Sequence, residues 1–135
     1  MDKEAIESFA KYRLEKAKDT LDTAEAILKI GKDFTSANNR AYYAIFYAIR
    51  AVLALEQIDF KKHKDVIAYF NKNYVNKEIF PKNIGRRIAQ AQRIREDSDY
   101  DDEYQPSLEK TQNQIDTAKE FIDLAEKYIE NRCNE

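Results

Sequence analysis

Glycine and proline are nearly absent, two of each in 135 residues. β-Sandwiches and α/β folds need many tight turns and place Gly and Pro at them. Their scarcity predicts a few long helices with short connections. The one cysteine, Cys133, excludes a disulfide framework within the chain and a cysteine-based zinc site. The one histidine, His63, excludes a histidine-rich metal centre, and no metal or other cofactor is expected. No apolar run approaches the ~20 residues of a membrane-spanning helix. The charged start, Met1-Asp2-Lys3-Glu4, leads into a helical pattern rather than a signal peptide. The expectation is one domain over residues 1–135, soluble and cytoplasmic, with no membrane contact.

Hydrophobic residues make up 43% of the chain and charged residues 36%, enough to bury a core and to cover it. Nine Tyr and seven Phe argue against disorder. The net charge of −2 conceals a sharp division. Residues 61–95 hold ten basic side chains against two acidic ones, net +8, while residues 96–109 hold seven acids and no base. Charge blocks of this kind signal partners more than folds. The basic block suits phosphate, and the acidic block would shield that site or meet a partner. The alternative is that solvated helix faces simply differ.

Apolar residues recur at three- and four-residue steps through residues 3–30, from Ala5, Ile6 and Phe9 to Ile27 and Leu28, and Gly31 follows as a C-cap. A second helix over 36–56, with Thr35 or Ser36 as N-cap, is apolar nearly all round and is expected to be buried. Asp59 is placed to cap a third helix over about 61–74. Pro81 opens a fourth, with Ile84, Ile88, Ala91 and Ile94 inside. Residues 97–106 read as a polar loop, and Pro106 and Ser107 open a last helix with Leu108, Ile115, Ala118, Ile122, Ala125 and Ile129 on one face. No element reads as a strand. The fold class is all-α, a five-helix antiparallel bundle.

Three groups could carry chemistry. Asn39, Arg40, Tyr43, Tyr47 and Arg50 lie on the second helix, and positions 39, 43, 47 and 50 share a face. They form either a phosphate-holding cleft or a satisfied buried network or dimer seam. Arg93 and Arg95 precede Ser98 and Tyr100; if the helix frays there, both arginines converge on one anion, and otherwise Arg95 pairs with Asp99. His63 lies among Lys61, Lys62 and Lys64, whose charge would lower its pKa and suit it as a general base; the alternative is a cap or a solvated side chain. Asp101, Asp102 and Glu103 lack the alternating spacing of a calcium loop and read as solvated charge. The surplus apolar surface of the second helix predicts a homodimer.

The run Asn39-Arg40-Ala41-Tyr42-Tyr43-Ala44-Ile45-Phe46-Tyr47, then Lys62-His63, then Arg95-Glu96-Asp97-Ser98-Asp99-Tyr100, resembles the HEPN family (higher eukaryotes and prokaryotes nucleotide-binding) over about residues 5–130. The resemblance implies a five-helix domain that commonly dimerises. It further implies a place in a toxin–antitoxin or related defence pair, beside a nucleotidyltransferase that acts as antitoxin. Active members are metal-independent ribonucleases with an Arg-x4–6-His motif in a cleft shared by two copies. Some carry an extended Arg-x4-His-x-Tyr motif, whose Tyr accepts AMP. Set on that motif, Arg93 and Tyr100 match, and Ser98 stands where His would. Serine is a poor base without an activating neighbour. The resemblance thus implies an RNA- or nucleotide-binding protein lacking the usual ribonuclease chemistry. The alternatives are a ribonuclease using Arg95 with Tyr100 or His63, and a structural partner that docks a nucleotidyltransferase. Tyr100 is the expected acceptor of AMP.

Overall fold

A computed structural model describes residues 2–101 and 103–135; the expectation for Asp102 lies outside them. Five α-helices follow one another: α1 (Lys3–Ile30), α2 (Phe34–Ala54), α3 (His63–Phe70), α4 (Lys82–Tyr100) and α5 (Leu108–Cys133). A π-helical turn, Asn71–Val75, continues α3. There is no strand among the described residues.

The caps explain where the helices begin and end. Asp2 accepts from the Ala5 N–H to start α1, and Gly31, at φ 76°, ends it in the left-handed region that glycine enters without strain. Helix α2 is capped by Asp33, which accepts from the Ser36 N–H, so the N-cap lies two or three residues earlier than Thr35 or Ser36. Ser107 caps α5, as expected. Leu108, expected on the inner face, is exposed, because it sits in the first turn beyond the core.

Helix α2 is the axis of the bundle. It packs on α1, α3, α4 and α5. Ala41, Ala44, Ala48 and Ala51 are fully buried and let the neighbours approach closely, while Ile45, Ile49, Val52 and Leu53 fill the spaces between. The expected surplus of apolar surface is therefore absorbed within one chain. Around Phe70 the aromatic rings of Tyr74, Phe80 and Phe121 close within 5.2–5.4 Å, centroid to centroid, tying α3, the π-turn and α5 together. The π-turn sits tight on α4 at Gly85, where a Cβ would come within 2.7 Å of Val75 Cγ1.

Two boundaries differ from the sequence reading. Asp59 does not cap α3, whose N-cap is Lys62 without a side-chain bond; it is held elsewhere by arginines. Helix α4 runs on through residues 97–100, which were expected to be loop. Ser98 Oγ bonds the Ile94 carbonyl at 2.9 Å and Arg95 pairs with Asp99 at 3.6 Å, both across one turn, so the acidic run stays helical.

Candidate functional site

The outer face of α2 meets the start of α3 and the last third of α4 around one tyrosine. Tyr43 sits on α2, half-buried. Arg95 Nη2, from α4, donates to Tyr43 Oη at 3.2 Å, and its guanidinium lies 5.0 Å over the Tyr42 ring and 5.4 Å over the Tyr43 ring. His63, the first residue of α3, stacks on Phe46 at 4.0 Å and meets Tyr43 edge-on at 5.7 Å. Three elements far apart in sequence thus place Tyr43, His63 and Arg95 together on an aromatic floor. Cations over ring faces are each stabilising by about 0.5–1 kcal/mol at partly exposed positions.

A cleft of about 400 Å³ opens beside this cluster, lined by Phe46, Arg50, Asp59, Phe60, Lys61 and His63. That volume is within the usual range for small-ligand sites. Three donors of the cluster and the cleft wall lack a partner among the described residues. Tyr42 Oη, Arg50 Nε and Arg95 Nε are all buried and unbonded. Burial pushes the Tyr42 phenol up to about 12 against the opposing pull of Arg95, so it keeps its proton at neutral pH. His63 is held below its ordinary value, first by burial and then by the charges of Arg95 and Arg50. The direction matches the sequence reading, but the cause is these arginines and burial rather than the neighbouring lysines. At pH 7 the imidazole is neutral and can accept a proton or a hydrogen bond.

The other candidates lie around or away from this point. Arg40 bonds Asn39 Oδ1 at 2.9 Å and covers the far side of the Tyr43 ring at 4.9 Å. Both residues line a separate cavity of about 380 Å³ at the α1–α2 turn. Tyr47 lies 5.9 Å from Tyr43, under the Lys16 ammonium. Arg93 and Arg95 do not converge. The helix is unbroken, and two residues turn the chain by about 200°. Arg93 faces solvent, and Tyr100 is 90% exposed in the last turn of α4.

Sequence reasoning missed Arg13 and the role of Asp59. Asp59 Oδ2 accepts from Arg50 Nη2 at 2.7 Å and from Arg13 Nη2 at 3.4 Å. Burial opposes the Asp59 charge, but the Arg50 bond, the Phe60 N–H and both arginine charges outweigh it, and the carboxyl is held below its ordinary value. The one available signal was Phe9 and Arg13 at four-residue spacing on α1, an aromatic–cation pair now seen at 4.2 Å.

Comparison with known proteins places these residues in company. The sequence profile described as HEPN domain matches residues 10–128. A UPF0332 protein of Thermotoga maritima is 33% identical over 124 residues, 92% of this chain and 93% of the relative. Methanocaldococcus jannaschii has a protein named "Putative toxin MJ0605", 31% identical over 86% of this chain and 85% of its own length. A second protein of that organism, "Putative toxin MJ0142", is 26% identical over 86% of this chain and 78% of its own length.

Proposed function

The chain belongs to the HEPN domain family, and on that premise we propose that it binds RNA or a nucleotide as one component of a toxin–antitoxin or related defence pair with a nucleotidyltransferase. The observation that carries the reading is the convergence of Arg95, Tyr43 and His63 beside a cleft lined by Arg50 and Lys61. Bidentate guanidinium donors suit phosphate oxygens, and the exposed Phe60 ring on the same cleft suits a base. The toxin names of two relatives support the setting. Homodimerisation is part of the proposal. Its support is the exposed aromatics of α1, Phe9 and Tyr12, which a second copy could cover. No helix among the described residues is long and apolar enough to cross a membrane.

The basic block supplies the longer-range attraction. Lys61, Lys62, Lys64, Lys72, Lys77, Arg86 and Arg93 are exposed and make no ion pair among the described residues, whereas Lys82, Arg87 and Arg95 are paired within the chain. Lys82, Arg86 and Arg93 share one stripe of α4, about 16 Å long at 1.5 Å per residue, enough for two or three nucleotides. If three to five phosphates are neutralised, log affinity for single-stranded RNA should fall against log salt with a slope of roughly −2 to −4. Fluorescence anisotropy across a salt series measures this, and a flat response would make the stripe ordinary surface.

The usual ribonuclease chemistry has no base at its expected position. Ser98 donates its hydroxyl proton to the Ile94 carbonyl and bonds no base among the described residues. Incubation with a mixed RNA pool should therefore give binding without cleavage. A second reading, a metal-independent ribonuclease, is favoured by one fact: His63 is neutral and close to Arg95 through Tyr43. In that reading His63 takes the proton of a ribose 2′-hydroxyl, the 2′-oxygen bonds phosphorus as the P–O5′ bond breaks, the departing 5′-oxygen takes a proton from solvent, and Arg95 stabilises the negative charge on the non-bridging phosphate oxygens. Cleavage that disappears in both His63→Ala and Arg95→Ala would establish it.

Tyr100 is the proposed acceptor of AMP. Its 90% exposure gives a transferase access, and it lies on the same stripe as Arg93, seven residues and about 10 Å along. The phenol oxygen attacks the α-phosphorus of ATP, pyrophosphate leaves, and the phenol proton goes to solvent. Co-expression with a cognate transferase should add one AMP, read by mass spectrometry. The adduct should vanish in Tyr100→Phe, and an adduct that persists there would exclude Tyr100.

A further inference from the structure

Asp59 sits between two openings. On one side is the cleft described above, and on the other a smaller cavity of about 190 Å³ lined by Phe9, Arg13, Ala54, Gln57, Ile58 and Asp59. Its carboxylate offers a single oxygen, Oδ2, to two guanidiniums, Arg50 at 2.7 Å and Arg13 at 3.4 Å. The other oxygen, Oδ1, is taken by the Phe60 N–H at 2.9 Å. One carboxylate oxygen therefore answers two arginines, with the Arg50 carbonyl accepting a further bond from Arg13 Nη1 at 3.4 Å, and Lys61 adds a third positive charge on the rim of the cleft.

Four features separate this from an ordinary structural ion pair. The Asp59 side chain is 45% exposed while Arg13 and Arg50 are mostly covered, so the exchangeable partner is the acid. Arg50 Nε is buried with no partner among the described residues, so one donor of the guanidinium edge that would grip a phosphate stays unsatisfied. Arg13 is held below its ordinary value, first by burial and then by the Arg50 charge, against the opposing pull of Asp59; the site carries more positive charge than Asp59 neutralises. Asp59 also rides on a short connection between α2 and α3 that passes through Gln57 at φ 56°, outside any helix.

We propose that Arg50, on the cleft, and Arg13, on the adjoining cavity, form a second phosphate subsite where the two openings meet at Asp59, and that Asp59 occupies it as an internal competitor until a phosphate displaces it. Phosphate has more oxygens than the carboxylate and can meet Arg50 through two of them while reaching Arg13 with a third. The phosphate belongs to a nucleotide or RNA strand whose base lies against Phe60, the exposed ring lining the same cleft. The inference rests on the reading of that cleft as an anion site, and it adds a residue that sets affinity by occupying the arginines from within.

Inorganic pyrophosphate is the direct probe, followed by calorimetry on the full chain, with a single-stranded RNA 12-mer as the second ligand. Asp59→Asn keeps the shape and one acceptor but removes the charge. It should bind pyrophosphate roughly tenfold more tightly than the wild type, the scale of one charge-assisted contact. The double variant Asp59→Asn/Arg50→Gln should lose that gain. Asp59→Ser, with the fold checked by circular dichroism, serves if the first variant does not fold. Equal pyrophosphate affinity in wild type and both Asp59 variants overturns the proposal. A gain for pyrophosphate together with no RNA binding in any variant supports the subsite and instead defeats the RNA-binding reading.

Discussion

Phe70→Ala should destabilise the protein by about 3–5 kcal/mol, the range for removing a fully buried phenylalanine ring. Phe70 is inaccessible to solvent. Its ring stacks on Tyr74 at 5.3 Å, meets Phe80 at 5.2 Å and meets Phe121 edge-on at 5.4 Å. Those partners come from the π-turn, the connection to α4 and α5, so no single neighbour can collapse into the space. The loss should also reach the site. Phe70 is the last residue of α3 and His63 the first, and seven residues return the helix to nearly the same face. A loosened C-terminal end should tilt the imidazole off Phe46. With no tryptophan in the chain, urea unfolding followed by circular dichroism is the suitable measurement. A loss below about 1 kcal/mol would show that α3 is not docked through this ring.

Arg95→Ala should lower affinity for single-stranded RNA by about 10- to 100-fold at low salt, the effect of losing a charge-assisted phosphate contact. The salt slope should become shallower by roughly 0.7, one phosphate fewer. Stability should fall by about 1–3 kcal/mol, mostly from the two lost ring contacts and the Tyr43 bond. The Arg95–Asp99 pair is partly exposed and pairs of that kind contribute at most about 1 kcal/mol, while Ile88, Ala91 and Ile94 still bury the inner face of α4. Arg95→Lys should recover only part of the affinity, because an ammonium cannot make the planar fork that the Tyr42 and Tyr43 rings support. Undiminished affinity in Arg95→Ala would remove Arg95 from the site.

Much of the architecture was legible because it is written in local periodicity. The all-round apolar character of α2 announced the central helix, and Gly31 and Ser107 announced two boundaries through backbone chemistry that depends on one or two residues. The misread boundaries depended on competition between local signals. Asp97, Asp99 and Asp101 oppose the dipole at a helix C-terminus and so read as loop, yet the Arg95–Asp99 pair and the Ser98 back-bond keep α4 going. The π-turn left no periodic trace, and its only hint was Gly85 inside a helix that had no local need of glycine.

The candidate site was legible by residue type but not by assembly. Tyr43, His63 and Arg95 each stood out, from an aromatic stripe, a lone histidine and a motif remnant. Their meeting depends on how three helices pack, and the Arg95–Tyr43 bond spans 52 residues. Asp59 was misassigned for the same reason. Next to a coming helix an aspartate reads as a cap, and nothing nearby in sequence points to Arg13, 46 residues away. Asn39 and Arg40 matched the family run closely, yet they line a different cavity and touch the cluster only across the Tyr43 ring.

His63 offers the most direct test of phosphate binding at the Arg95–Tyr43–His63 cluster, because it is the only histidine and its imidazole proton resonances are therefore assigned without further labelling. In the free protein its titration midpoint should lie below 6.5, held there by burial and by Arg95 and Arg50. Phosphate beside the ring favours the imidazolium, so saturating single-stranded RNA should move the midpoint upward. A midpoint that stays unchanged while anisotropy shows the RNA fully bound would place the nucleic acid elsewhere and contradict the account.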